Sequence, residues 1–292
     1  MMYGGAMLRS VTGERRWGLL ALVATASLGF AAWVFGPASS AYFFLFDDFK
    51  VVGQALEFSP LSLATQPHFH YFRPVVHLGF ALESMVFGWE APWGYAWVGL
   101  VVHSANALLL GGLVWRASAE REVAALAGGL FFCAPWALET LFWVSCRFEL
   151  VSCLLSLLAC HVGLTAHAAG ALDGRAGRSR AGLLVLVALS CLSKETAIAF
   201  WVALLVAGHV TGWPATVSKP RLLTRAIGVV LIAYLGVRAL VMLIFANGDP
   251  FGGHQGNVFV LLLSGTSFES IAAHLHAIVL PAAGPTADLF KI

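Results

Sequence analysis

Apolar stretches approaching the length of a bilayer-crossing helix, with few or no charges, recur along the chain, at residues 17–35, 94–115, 121–137, 148–168, 181–193, 196–212, 226–246 and 258–280. A hydrocarbon core calls for about 20 apolar residues in helical form, so each stretch predicts a transmembrane helix. The pattern predicts an all-α polytopic membrane protein of about eight spans, forming one transmembrane domain over 1–292. The first stretch follows Arg9, Arg15 and Arg16, and it also has a signal-peptide reading because Ser39-Ser40-Ala41 offers small residues for cleavage. Its length and its bounding aromatics favour a span. The chain ends at Phe290-Lys291-Ile292, shortly after an apolar segment, which fits a protein that continues or one that a partner completes.

One further apolar run, 75–88, is short and contains His77 and Glu83. Such a run suits a re-entrant helix or one lying at the membrane surface. Charge bias arbitrates. If the run does not cross and the N-terminus is cytoplasmic, the inner loops hold Arg9, Arg15, Arg16, Arg116, Arg121, Arg175, Arg178, Arg180, Lys219, Arg221 and Arg225. The outer loops then hold only Lys50, Arg73, Arg147 and Lys194, in agreement with the positive-inside rule. Letting the run cross would put Arg116 and Arg121 outside. The result is a long first outer segment, 37–93, with juxtamembrane helices in it.

Composition narrows the function class. With 59% hydrophobic and 11% charged residues and a mean hydropathy of +0.83, the chain cannot be a water-soluble enzyme. A net charge of +2 without a basic block argues against nucleic acid as a partner and leaves membrane lipids. Cys133, Cys146, Cys153, Cys160 and Cys191 form no CxxC pair; the seven-residue spacing of Cys146, Cys153 and Cys160 fits small residues at a helix contact.

The predicted topology gathers four polar clusters on one side: Asp47-Asp48, the stretch His68 to Arg73, Glu139 with Arg147 and Glu149, and Lys194-Glu195. Ionisable groups at membrane depth are costly and mark functional sites. Asp47 or Asp48 can serve as a general base toward a hydroxyl or help hold a divalent cation, or the two can be a solvated, helix-capping pair. Arg73 precedes Pro74 at a helix start, where its planar fork suits a phosphate; the alternative is an interfacial arginine among aromatics. His68 and His70 form a weak His-x-His ligand pattern. Glu139 and Arg147 flank a turn between two spans, as site residues or as a self-neutralising pair. Lys194-Glu195 breaks an uncharged run from Ala181 to His209 without Gly, Pro or Asn, which points to a cavity-facing lysine or glutamate, or else to a tight outer turn. His103 and Asn106 share one face in mid-span, where an interhelical hydrogen bond is the favoured reading. Asp249 to His254 reads as a flexible loop.

In order along the chain, the acidic pair Asp47-Asp48, Tyr71-Phe72-Arg73-Pro74, His103-x-x-Asn106, Pro135-x-x-x-Glu139 with Arg147 and Leu150, and Leu192-Ser193-Lys194-Glu195-Thr196 resemble a known group. They look like the multi-spanning GT-C glycosyltransferases, most similar to the branch of transmembrane O-mannosyltransferases with tetratricopeptide repeats and their bacterial relatives. The resemblance covers about residues 17–200; no tetratricopeptide repeat follows, and nothing matches after Trp213. Ala134-Pro135 stands where His-Pro is frequent, Cys146-Arg147 where Gly-Arg is common, and Leu110 where a second histidine often follows.

What the resemblance implies is transfer of a sugar from a polyprenyl-phosphate donor to a protein, lipid or glycan acceptor on the lumenal or periplasmic side, and the composition, without targeting signals, favours a bacterial inner membrane as the expected location. Asp47 or Asp48 would be the base, Arg73, Arg147 and Lys194 the donor-phosphate residues, and Glu139, Glu195, His70 and His103 the acceptor or metal side. A divalent cation is compatible with this set, though nothing in the sequence requires one. Two rivals remain open. A transporter or flippase for a lipid-linked or anionic solute would also need charges at membrane depth, but would show paired broken helices in two halves. In a non-catalytic membrane scaffold the clusters would be interfacial pairs only.

Overall fold

The computed structural model describes residues 44, 47–68, 71–134, 140–141, 143–168, 177–210 and 220–245. The expected spans 17–35 and 258–280, the loop 249–254, and the site candidates His70 and Glu139 lie outside the described residues. Among the described residues the chain is helical, in the order α1 (Asp47–Glu57), α2 (Pro60–Thr65), α3 (Pro74–Phe87), α4 (Pro92–Ser118), α5 (Arg121–Phe132), α6 (Arg147–Ala168), α7 (Gly177–Ser193), α8 (Thr196–Val210) and α9 (Pro220–Phe245). A short 3₁₀ turn, Val144–Cys146, leads into α6.

Three segments are long and apolar enough to cross a membrane: Pro92–Ser118, Val144–Ala166 and Thr224–Phe245. They coincide with three of the eight expected spans, and they fit a membrane protein. The other expected spans among the described residues are shorter helices. The stretch 121–137 forms a helix only over α5, whose 12 residues rise about 18 Å against a hydrocarbon core of about 30 Å. A turn at Cys133 ends it, two residues before Pro135, where a proline already disfavours continuing helix. Residues 181–193 and 196–212 likewise fold as α7 and α8, 17 and 15 residues long.

The short run at 75–88 forms the 14-residue α3. Pro74 occupies its first position, where the missing N–H costs nothing, and Gly88 closes it with φ +57 and ψ −149, a backbone conformation that side chains with a Cβ rarely adopt. Val76, His77, Phe80, Ala81 and Ser84 face inward, whereas Leu82, Met85 and Val86 are exposed. With Trp89, Trp93 and Trp97, also exposed, they make an apolar flank edged by indole rings. That is the composition of a surface seated at a lipid–water boundary.

Two cores hold the bundle. One gathers Phe44, Val51, Val52, Ala55, Val76, Phe80, Tyr95, Val144 and Phe148, so α1 and α3 pack on the starts of α4 and α6. The other joins α6, α7, α8 and α9 through Ala159, Leu183, Val187, Cys191, Trp201, Ile227, Leu231 and Tyr234. Within it the Ser152 hydroxyl donates to the Ser190 carbonyl at 3.2 Å and the Trp201 indole N–H to the Ser190 hydroxyl at 3.0 Å. Helices α4 and α5 meet almost backbone to backbone. A Cβ on Gly128 would stand 2.9 Å from the Ala107 carbonyl oxygen, and one on Gly111 3.0 Å from that of Ala124. Because backbone rather than a flexible side chain blocks the space, Gly128→Leu is expected to force α5 outward and cost about 1–3 kcal/mol. A lowered unfolding midpoint of the detergent-solubilised protein checks this; an unchanged midpoint would mean that the two helices do not approach so closely.

Candidate active site

The elements converge at one end of the bundle, where α1 and α3 begin, α6 begins, and α7 passes to α8. There a cavity of about 460 Å³ is lined by Asp47, Lys50, Val51, His68, Tyr71, Arg73, His77, Trp143, Ser145, Cys146, Phe148, Glu149 and Lys194. All four sequence clusters therefore contribute to the lining, the third of them through Glu149.

The two aspartates part company. Asp47, at the start of α1, is exposed; its Oδ1 lies 3.8 Å from Lys50 Nζ, one turn on. Asp48 is fully buried, and its carboxylate accepts the backbone N–H groups of Ser145 at 2.7 Å and Val144 at 3.3 Å. An anion at a helical N-terminus satisfies donors that the turn itself leaves unmatched. Asp48 thus pins the 144–146 turn to α1, and that turn supplies Ser145 and Cys146 to the cavity.

Arg73 is buried just before the start of α3, where its Nε and Nη2 donate to the two oxygens of Glu195 at 3.0 and 2.5 Å. Its guanidinium also stacks over Tyr71 at 4.0 Å and Phe148 at 4.8 Å. Glu195 is shared: Arg238 Nη1, from α9, stands 3.7 Å from its second oxygen. Lys194 and Glu195 occupy the link between α7 and α8, as the charge interruption predicts. Lys194 Nζ donates to Glu149 Oε1.

Arg147 and His103 are not among the residues that line this cavity. Arg147 is buried, donating from Nη1 to Glu83 Oε1 of α3 at 2.5 Å and from Nη2 to the Tyr95 carbonyl of α4. A buried arginine needs a close acid or carbonyl to meet its charge, and here both are internal. His103 is buried between α4 and α5, its Nε2 3.1 Å from the Phe132 carbonyl and its ring stacked on Phe131 and Phe132. Asn106 donates to the Leu150 carbonyl of α6 at 3.0 Å, so this pair serves helix contact.

His68 and Tyr71 exchange backbone hydrogen bonds of 2.8 and 2.9 Å, which fixes the stretch before Arg73. The His68 ring packs on His77, centroids 4.8 Å apart. Burial lowers the pKa of His68, and burial together with the neighbouring His68 and Arg73 lowers that of His77 to about 3. Both are neutral near pH 7. Because the unfolded chain takes up protons that the folded pair refuses, stability is full above about 6.5 and falls as pH drops from there toward about 3. His77 accounts for at most about 1.4 kcal/mol per pH unit in that window. His77→Phe should therefore flatten the fall in unfolding midpoint between about pH 7 and pH 5; an unaltered slope would mean that His77 is not held neutral.

Among the described residues no three His, Cys, Asp or Glu side chains are grouped as a metal site. Three participants were not singled out in the sequence. Glu83, read only as a mark against a span, is the acid that Arg147 requires. Arg238, the one charge within the apolar run 226–246, carried the signal of an isolated intramembrane cation. Trp143 is an aromatic at an interface and offered no signal to separate it from its neighbours. Comparison with protein-family models, curated proteins and solved structures finds no match to this chain.

Proposed function

We propose that this chain is a membrane-embedded glycosyltransferase that moves a sugar from a polyprenyl-phosphate-linked donor to an acceptor hydroxyl at the outer face of the membrane. The observation that carries the proposal is the meeting, in one cavity, of the exposed carboxylate of Asp47 and the ammonium of Lys194, from elements far apart in sequence. In this reading the eight-span topology drawn from the charge bias holds, the N-terminus is cytoplasmic, and the cavity faces the periplasm from a bacterial inner membrane.

The chemistry asks for little more. Asp47 takes the proton of the acceptor hydroxyl as its oxygen bonds to the anomeric carbon. The bond from that carbon to the phosphate oxygen breaks, and the polyprenyl phosphate leaves with the electron pair. A phosphate leaves readily when cations meet its charge, which is the part given to Lys194, with Arg73 contributing positive potential from behind its own ion pair. A single displacement inverts the anomeric centre. Asp48 is a positioning residue in this scheme, since both of its oxygens accept backbone N–H groups.

Membranes containing the protein, incubated with labelled polyprenyl-phosphate hexoses, should release label from the lipid to an acceptor. Equal release with and without the protein would end the proposal. Detection of the product anomer separates single from double displacement.

A further inference from the structure

The cavity's ion pairs differ in how easily they can be exchanged. Arg73 gives two charge-assisted bonds to Glu195 and packs over two rings, so exchanging its partner would break both bonds at once. Lys194 gives one, to Glu149. The Lys194 backbone is held in the α7–α8 link, its N–H donating to the Ser190 carbonyl at 3.1 Å while its own carbonyl accepts the Ala197 N–H at 3.1 Å. Its side chain is 17% exposed, against 42% for Glu149. The lysine is thus the fixed partner, and the glutamate is the one bordering open space.

We propose that Glu149 competes with an entering phosphate for Lys194, so that the phosphate binds by displacing the carboxylate. A partly exposed single ion pair contributes little, because water solvates the separated charges almost as well. A phosphate brings more charge and three acceptor oxygens, which favours the exchange. The cavity, about 460 Å³, lies within the usual range for small-ligand sites of about 300–1,000 Å³. Glu149 therefore sets donor affinity at a moderate value and holds the lysine at the cavity wall. This rests on the reading above only in taking the phosphate to be the donor's.

Titration calorimetry on the purified full chain in detergent tests it, with inorganic phosphate and a short-chain, water-soluble isoprenyl monophosphate as probes. Glu149→Gln should tighten binding about three- to tenfold, and Lys194→Gln should weaken it about tenfold or more. The double variant should bind as Lys194→Gln alone, since the competitor matters only through the lysine. The pattern in either probe supports the inference; in the isoprenyl probe alone it assigns the anion to a lipid headgroup. Unchanged or weaker binding by Glu149→Gln overturns it, as does a gain that persists in the double variant. If Lys194→Gln fails to fold, Lys194→Arg paired with Glu149→Gln replaces it: the gain must then survive. Sugar transfer is not read, so loss of the glycosyltransferase proposal leaves this result standing, and the reverse also holds.

Discussion

Asp47→Asn is expected to lower sugar transfer by about 10²–10⁴-fold while the protein still inserts and folds. The substitution preserves shape but removes the group that can take a proton. Asp47 is exposed and has Lys50 as a loose neighbour, so stability should change by no more than about 0.5 kcal/mol. Asp48→Asn should behave in the opposite way. Its new amide nitrogen would face a backbone N–H, donor against donor, in a fully buried position. The cost is about 1–3 kcal/mol, with a lowered unfolding midpoint and only as much loss of transfer as a displaced 144–146 turn causes. Transfer rates and unfolding midpoints measured on both single variants decide the matter. If Asp47→Asn retains transfer and Asp48→Asn abolishes it at unchanged stability, the two roles are reversed and Asp47 is not the base.

The second large effect concerns folding. Arg147→Met leaves Glu83 buried without its cation and the Tyr95 carbonyl without its donor, a loss of about 3–5 kcal/mol. Adding Glu83→Gln should recover much of it, because the penalty lies in the stranded charge rather than in the missing bond. Thermal unfolding of the single and double variants gives the coupling. Additive losses would mean that Arg147 and Glu83 do not interact, and that Arg147 is held by something else. Three helices, α3, α4 and α6, meet at this one guanidinium, so the single variant should also expose the first core to protease.

The features that were legible in the sequence are those set by a strong local cost. A long apolar run nearly free of charge is readable because a charge at membrane depth is costly, and the long helices α4, α6 and α9 lie where such runs predict them. The 14-residue α3 is readable because it is too short to cross. The α7–α8 link is readable because Lys194-Glu195 stands alone in an apolar run. Pairing was not readable. Arg147 is near Glu139 and Glu149 in sequence, yet its acid is Glu83, contributed by a helix whose register against α6 depends on packing between distant segments. Asp47 and Asp48 are chemically alike, and a rotation of about 100° per residue along the helix separates an exposed carboxylate from a buried one. The extent of α5, α7 and α8 also escaped, because hydropathy alone does not mark where a turn falls.

Glu195 joins residues that emerge from the ribosome far apart in time. Its carboxylate meets Arg73, from the segment before the first long helix, and Arg238, from the last described one. A nascent chain that has reached residue 210 already contains Asp47, Arg73 and Lys194, yet the arginine from α9 is still to come. The ion-pair cluster around Glu195, whose partner Arg73 lines the cavity, is therefore complete only once α9 has been synthesised, so the earliest described segments and the last one share a single carboxylate.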